Sequence, residues 1–142
     1  MHSSKHVIDV ARRKVLSGHP DDPLSTIAKS MVDHWISSIV IEERGKPVGI
    51  VTDGIIFRLI AKKQNPLLLS AKDVMAHPVH TIPEDASLED AEAAFHKSKV
   101  SRLVVVDDKG QVTGIVSHKD IDRFGAYSLA EKLLHHRHEA LD

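Results

Sequence analysis

Apolar and polar residues alternate along the first half of the chain with periods that predict helices and strands in a definite order. In the first predicted helix an apolar residue recurs at positions i, i+3, i+4 and i+7, which is the spacing of one helix face. These residues are Leu24, Ile27, Ala28 and Met31. Two β-rich runs follow, "ISSIVI" and "KPVGIVT", joined by a charged turn that contains Gly45. With the extended piece "VLS" before them and the helical segment "DGIIFRLIAKK" after them, they predict a β-α-β-β-α unit.

The second half of the chain repeats this order. The extended piece "VHT" precedes a helix whose apolar stripe contains Leu88, Ala91 and Phe95. Ser87 and Asp90, at the start of that helix, have the spacing of a capping box. The runs "SRLVVV" and "QVTGIVS" predict two more strands, and "HKDIDRFG" predicts the closing helix.

Identities between the two halves indicate a tandem duplication. With a shift of 64 residues, 7 of the 34 positions from Asp9 to Glu42 are identical. From Gly45 to Arg58 the shift is 65 residues, and 6 of 14 positions are identical. The extra residue falls where a strand ends in a hairpin turn, which is a place where an insertion costs little.

We therefore predict an α/β (α+β) fold in which two pseudosymmetric β-α-β-β-α repeats pack through their sheets. One repeat alone is too small to bury a sufficient core. The nearly uninterrupted Val and Ile runs indicate strands that are covered on both faces. The predicted segments are an N-terminal helix (1–14), repeat 1 (15–62), a linker with a short helical turn (63–78), repeat 2 (79–125) and a C-terminal helix (126–142).

The C-terminal helix has an apolar edge formed by Leu129, Leu133 and Leu134. Since the repeats leave little core for it to cover, we expect it to pack across a subunit boundary or onto another domain.

Composition narrows the class of protein. A formal net charge of −1 gives no sign of a nucleic-acid or membrane surface. The absence of Cys excludes disulfides, thiolate metal sites and a Cys nucleophile. No apolar run reaches the length of a membrane span, and the first residues lack the apolar centre of a signal peptide. We expect a cytoplasmic protein.

The duplicated unit, together with "DVM" followed by "PV" and the closing "GIVTDG" and "GIVSHKD" segments, resembles a tandem pair of CBS domains, known as a Bateman module. The resemblance covers about Asp9 to Phe124. It implies two clefts between the repeats, adenosyl ligands such as AMP, ADP, ATP or S-adenosylmethionine in them, and a homodimer. It also implies a regulatory role rather than an enzymatic one, with the adenosyl compound as a regulatory ligand and no required cofactor.

Ser117 and Asp120 are the strongest candidates for ligand binding. They stand at a strand end and in the first turn of the next helix, so both side chains emerge at its N-terminus. A carboxylate accepts two hydrogen bonds, which matches the vicinal hydroxyls of a ribose. The resemblance implies this use. The same spacing is also that of a capping box, which needs no ligand.

The first repeat lacks that acid. Thr52 corresponds to Ser117, but Ile55 corresponds to Asp120, and Asp53 stands two positions away. We therefore predict one competent cleft, with Thr52 and Asp53 marking a possible degenerate second site.

The resemblance implies further contacts in the Ser117 cleft, at Ile115, Arg102, Leu16 and Ser37. Ile115 and Leu16 would enclose an adenine, and the paired donors of Arg102 would face a phosphate. The alternatives are core packing for the two apolar residues and simple solvation for the Arg. Lys119 is a weaker candidate for phosphate binding.

Other chemistry finds little support. His135 and His138 are spaced as a metal pair on a helix, but two ligands without a carboxylate partner make a weak site, so we favour a solvated face and predict no metal site. The chain contains neither a dinucleotide-binding nor a P-loop glycine motif. The leading hypothesis is a regulatory sensor of an adenosine-containing nucleotide that acts on an effector protein. The alternative is a ligand-free dimerisation module with vestigial clefts.

Overall fold

The computed structural model describes residues 5–124 and residue 133, and its strands and helices follow the predicted order twice. The first repeat is preceded by α1 (Val7–Val10). Its elements are β1 (Ser17–Gly18), α2 (Leu24–Asp33), β2 (Ser38–Glu43), β3 (Lys46–Thr52) and α3 (Asp53–Ala61). The connection to the second repeat contains a 3-10 turn (Pro66–Leu68) and α4 (Ala71–Val74). The elements of the second repeat are β4 (Thr81–Pro83), α5 (Leu88–Ser98), β5 (Arg102–Val106), β6 (Val112–Ser117) and α6 (118–124).

Each repeat contains one three-stranded sheet with the same topology. β1 is parallel to β2, which is antiparallel to β3, and β4, β5 and β6 are arranged in the same way. The registers agree as well, since Ser38 pairs with Thr52 in one sheet and Arg102 pairs with Ser117 in the other. The two hairpin turns contain Gly45 and Gly110 at φ +76° and +80°, a conformation that favours glycine. The predicted fold class and duplication are confirmed.

The central strands are covered on both faces, as the sequence predicts. In β2, Ile39 and Ile41 pack under the helices of the first repeat with Leu24 and Ile27. The intervening Val40 packs instead against Val104 and Ile115 of the second sheet. Because side chains alternate along a strand, one run of apolar residues serves two cores.

The segment before each repeat crosses over to pair with the other repeat. Arg12 and Ile115 exchange backbone hydrogen bonds of 2.8 and 2.9 Å, and Ile50 and Ala76 exchange bonds of 3.1 and 2.9 Å. A Cβ at Gly114 would lie 3.2 Å from the Arg12 carbonyl oxygen, so this approach leaves little room for a side chain. Each exchange places backbone from one half of the chain against the closing strand of the other half.

The connection between the repeats is fixed near Ser70. The Asp73 carboxylate accepts hydrogen bonds from the backbone N–H and the hydroxyl of Ser70, both at 2.9 Å, which starts α4. Lys72 forms a salt bridge of 2.9 Å with Asp21, just before α2. α4 leads into the segment that pairs with β3, so these contacts help to place one wall of a cleft.

Two features bear on the segments outside the repeats. The predicted C-terminal helix, with Leu129 and Leu134, lies outside the described residues, and of its apolar edge only Leu133 is described. Within residues 5–124, no helix has both the length and the apolar character that a membrane span requires.

Candidate ligand clefts between the repeats

Ser117 and Asp120 form a reciprocal cap at the junction of β6 and α6. The Asp120 Oδ2 accepts a hydrogen bond from the Ser117 backbone N–H at 2.9 Å, and the Ser117 Oγ accepts one from the Asp120 N–H at 3.1 Å. The capping geometry is therefore present. Among the described residues, no donor reaches the Asp120 Oδ1, so the carboxylate keeps acceptor capacity beyond the cap. Its contact with a ribose stays a prediction.

Thr52 occupies the equivalent place at the junction of β3 and α3. Its Oγ1 accepts a hydrogen bond from the Ile55 N–H at 3.3 Å, which caps α3 without an acid at position 55. A Cβ added at Gly54 would lie 3.6 Å from Arg58 Nη2 and 3.8 Å from Thr52 Oγ1. The guanidinium and the hydroxyl therefore converge on one space above the first turn of α3.

Thr52 and Arg58 both line a cavity of about 340 Å³, which we call the Thr52 cavity. Its walls come from β3 and α3 of the first repeat, from the segment before β4, and from the start of β5. Its polar and charged lining residues are Thr52, Arg58, His80, Lys99, Ser101 and Arg102. The lining contains no Asp or Glu.

Arg102 lines the Thr52 cavity, and its contact with a ligand in the Ser117 cleft stays a prediction. Its backbone pairs with Ser117, but its side chain lines the Thr52 cavity. The Arg102 Nη2 donates a hydrogen bond to Ser37 Oγ at 3.2 Å. The structure thus brings together two of the predicted ligand-binding residues, one from each repeat, beside a cavity that the sequence did not single out.

Ile115 and Leu16 both contribute to the core. Ile115 is 8% exposed and packs between the two sheets. Leu16 is half-buried against the core under α2, and its carbonyl accepts a hydrogen bond from the Val40 N–H. These contacts are the ones expected if Ile115 and Leu16 serve in core packing. A contact of either side chain with an adenine stays a prediction.

Asp53 faces another surface than its neighbour Thr52. It lines a groove of about 580 Å³ between α2 and α3, together with Arg12 and Ser37. The apolar lining of this α2–α3 groove consists of Ala28, Met31, Val32, Trp35, Ile36, Ile56 and Phe57. Thr52 and Asp53, proposed from the sequence as one degenerate site, therefore contribute to two separate cavities.

Comparison with protein-family models identifies the family to which this duplicated architecture belongs. The model for the CBS domain matches residues 7–62 and 71–127, which is most of the chain. The chain belongs to the CBS domain family. It is a CBS pair, and the recognition made from the duplicated sequence is confirmed.

This CBS pair is similar to part of an uncharacterized protein and to part of a much longer enzyme. It is 36% identical over 129 residues to an uncharacterized protein of Methanopyrus kandleri, covering 89% of this chain and 66% of that one. It is 32% identical over 123 residues to a homoserine O-acetyltransferase of Methanosarcina acetivorans, covering 85% of this chain and 22% of the enzyme. The chain thus spans less than two thirds of either relative.

A solved structure shares both the fold and part of the sequence. The CBS domain pair of protein MJ0100, in complex with 5′-methylthioadenosine and S-adenosyl-L-methionine, superposes with a TM-score of 0.75 and is 28% identical. The match covers 88% of this chain and 98% of that one.

Sequence reasoning missed four polar or charged lining residues of the Thr52 cavity, Arg58, His80, Lys99 and Ser101, although the repeat itself contains the signal for three of them. When the two repeats are aligned with the 64-residue shift, Leu16 corresponds to His80 and Ser37 corresponds to Ser101. With the 65-residue shift, Arg123 corresponds to Arg58. With the 65-residue shift, Ile115 corresponds to Ile50 and Ser117 corresponds to Thr52, and both Ile50 and Thr52 line the cavity. Lys99 corresponds to Trp35, so its charge has no counterpart in the other repeat.

A separate polar cluster lies on α5 and α6. The ligand atoms of Glu92, His118 and Asp122 all lie within 4.8 Å of one another, and His118 Nδ1 is 3.4 Å from Asp122 Oδ2. The His118 and Asp122 side chains are 46% and 59% exposed, so an ordinary contact between solvated surface side chains accounts for them. The His135 and His138 pair considered from the sequence lies outside the described residues.

Proposed function

We propose that this CBS pair is a regulatory module that binds an adenosine-containing ligand in the cleft at Ser117 and Asp120 and signals the bound state to an effector protein. AMP, ADP, ATP and S-adenosylmethionine are the candidate ligands, because each has the ribose diol that a carboxylate recognises. The observation that carries the proposal is the position of Asp120, where one carboxylate oxygen caps α6 and the other is left with acceptor capacity. The complex of the related MJ0100 pair with two adenosyl ligands supports it.

The geometry also suggests how binding would become a signal. The clefts lie between two repeats that are joined by reciprocal backbone pairs and by the Arg102–Ser37 hydrogen bond. A ligand that contacts both repeats favours one relative arrangement, and it shifts the equilibrium only by its difference in affinity for the two arrangements.

We further propose that the module is a homodimer. Support comes from the α2–α3 face, where Val32, Trp35, Phe57 and Ile60 are between 57% and 92% exposed. Contiguous exposed apolar residues of this size are typical of protein interfaces. A second copy presents the same helices, so a twofold contact would cover both faces at once.

The alternative is a ligand-free dimerisation module, in which Ser117 and Asp120 serve only as a cap. Thermal unfolding with AMP, ADP, ATP, S-adenosylmethionine or 5′-methylthioadenosine separates the two functions, because a ligand of the native state raises the melting temperature. We expect at least one ligand to stabilise the wild type and to lose this effect in Asp120→Ala.

Asp90→Ala is the matched control, because Asp90 and Ser87 form the same capping box on α5. Both variants lose a cap, worth about 1 kcal/mol. Only Asp120→Ala should also lose the ligand effect. The sensor function is rejected if no ligand shifts the wild-type transition, or if the two variants respond alike. Turnover of any of these nucleotides would point to an enzyme instead.

A further inference from the structure

We propose that Glu92, His118 and Asp122 form a binding site for a divalent transition cation of the Zn²⁺ type, between α5 and α6. This site is separate from the Thr52 cavity, which none of the three residues lines. It does not depend on the proposed adenosyl site at Asp120. The sequence gives no sign of it, because the three residues come from two helices that are distant along the chain.

The side chains on α6 already have the spacing of two zinc ligands. His118 and Asp122 are one helical turn apart, and His118 Nδ1 is 3.4 Å from Asp122 Oδ2. Two atoms that each bind one Zn²⁺ at about 2.1 Å in tetrahedral geometry are about 3.4 Å from each other. Glu92 on α5 offers a carboxylate oxygen within 4.8 Å of both ligand atoms. A small rotation of this exposed side chain is enough to make it the third ligand.

Glu92 distinguishes this cluster from an ordinary surface contact. The contact between His118 and Asp122 needs no ion, but a second carboxylate within 4.8 Å adds repulsion between like charges. In the salt bridges among residues 5–124, Asp122 pairs with His118 alone and Glu92 takes no part. A divalent cation would balance both carboxylate charges, with the imidazole as a neutral ligand.

The imidazole of His118 is supported from the core. The rings of Phe95 and His118 meet edge to face, with their centroids 5.3 Å apart and their planes at 66°. Phe95 is buried in the core of the second repeat, so it is a fixed support for the imidazole. A ligand side chain that is oriented before the ion binds loses less conformational freedom on binding.

The donor set indicates the class of metal. One imidazole nitrogen and two carboxylate oxygens suit Zn²⁺ and similar transition cations, whereas Mg²⁺ and Ca²⁺ prefer oxygen ligands alone. Three protein ligands leave a fourth tetrahedral position for water. We therefore expect Zn²⁺ to bind and Mg²⁺ to compete poorly.

The first repeat has a different surface at the equivalent place. With the shifts of 64 and 65 residues, the counterparts of the three ligands are Ala28, Asp53 and Phe57, and all three line the α2–α3 groove. The fold thus places side chains from the same two helices together in both repeats, but only the second repeat has ligand side chains at all three positions. We expect one ion per chain.

The test measures Zn²⁺ binding to the full chain by competition with a chromophoric chelator at neutral pH. In the background chain His135, His136 and His138 are replaced by Ala, so that the histidine-rich tail cannot bind the ion. We expect one Zn²⁺ per chain, and a higher melting temperature when Zn²⁺ is present because the native state binds it.

Two variants locate the site. His118→Ala and Glu92→Gln should each weaken Zn²⁺ binding by about tenfold or more, since each removes one of three ligands. His96→Ala and Glu89→Gln are the matched controls. Both residues are exposed on α5 and lie outside the cluster, so these variants should bind Zn²⁺ as the background chain does.

The proposal is overturned if the background chain binds no Zn²⁺ below about 0.1 mM, if Mg²⁺ competes as well as Zn²⁺, or if Glu92→Gln binds Zn²⁺ unchanged. An equal loss in His118→Ala and His96→Ala would also overturn it. Far-ultraviolet circular dichroism establishes that each variant is folded before its affinity is compared. Failure here leaves the adenosyl site intact, because that site is judged by the difference between Asp120→Ala and Asp90→Ala.

Discussion

Arg102 Nη2 lies 3.2 Å from Ser37 Oγ, so a side-chain hydrogen bond connects the two repeats next to the Thr52 cavity. Arg102 begins β5 and pairs with Ser117, while Ser37 directly precedes β2. The bond is partly buried, which protects it from competition with water. The same guanidinium lines the Thr52 cavity, so this cavity and the contact between the repeats share one side chain.

Replacing Ser37 by Ala should destabilise the protein by about 1 kcal/mol, because the partly buried Arg102 donor loses its acceptor. Urea unfolding of the wild type and the variant measures this difference. Ser101→Ala is the matched control, since Ser101 is the exposed equivalent one repeat later and its carbonyl accepts from His118 as that of Ser37 accepts from Asp53. An equal loss in both variants would show that the side-chain bond contributes nothing specific.

Trp35 provides a direct probe of the proposed dimer. It is the only Trp in the chain, it is 92% exposed, and it lines the α2–α3 groove. Its fluorescence emission should move to shorter wavelength as protein concentration rises, while sedimentation detects the dimer. Phe57→Asp, at a residue that is 66% exposed on the same groove, should weaken the dimer by about tenfold or more through lost apolar burial.

Gln111→Asp adds the same charge at an exposed position of the β5–β6 turn and should leave the dimer unchanged. Emission that does not depend on concentration, in a protein that sediments as a monomer throughout, would contradict the dimer.

Asp73 should make the linker sensitive to acid. Hydrogen bonds from the Ser70 backbone N–H and hydroxyl lower the pKa of the Asp73 carboxyl below its usual value. The folded-state pKa is depressed, so its stabilising contribution is complete above the unfolded-state pKa and is lost as the pH falls through the folded-state value. Asp73→Asn should therefore be less stable than the wild type at neutral pH, and the difference should shrink below about pH 4.

Thermal unfolding between neutral pH and pH 3 measures this trend. Asp108→Asn removes an exposed carboxylate from the β5–β6 turn without affecting the linker, and so controls for the change in net charge. A wild-type advantage over Asp73→Asn that stayed constant across this range would rule out the linkage.

Local patterns predicted the elements because local interactions form them. The apolar positions of α2, including Leu24 and Ile27, recur with the helix period, and both are buried. Ser87 and Asp90 form the predicted capping box because the residues of a box are only three positions apart. The Val and Ile runs of β2 and β5 predicted strands buried on both faces, and the structure confirms this for Val40 and Val104.

The clefts were harder to predict because their walls combine distant segments. Thr52 and Asp53 are neighbours in sequence but face different cavities, since successive residues at a strand–helix junction point in different directions. Arg102 has a long side chain that reaches across to the first repeat, and nothing in its local sequence states which cleft it enters.

The amino-acid sequence by itself determined the duplication, the order of the elements and the family, because periodicity and repeat identity are properties of neighbouring residues and of the two halves compared. Only the tertiary structure decided that the cleft without an acid contains a cavity lined by Arg58, Lys99 and Arg102. The reason is physical: a cavity and its electrostatic potential are created by side chains that meet only after the two repeats have packed together.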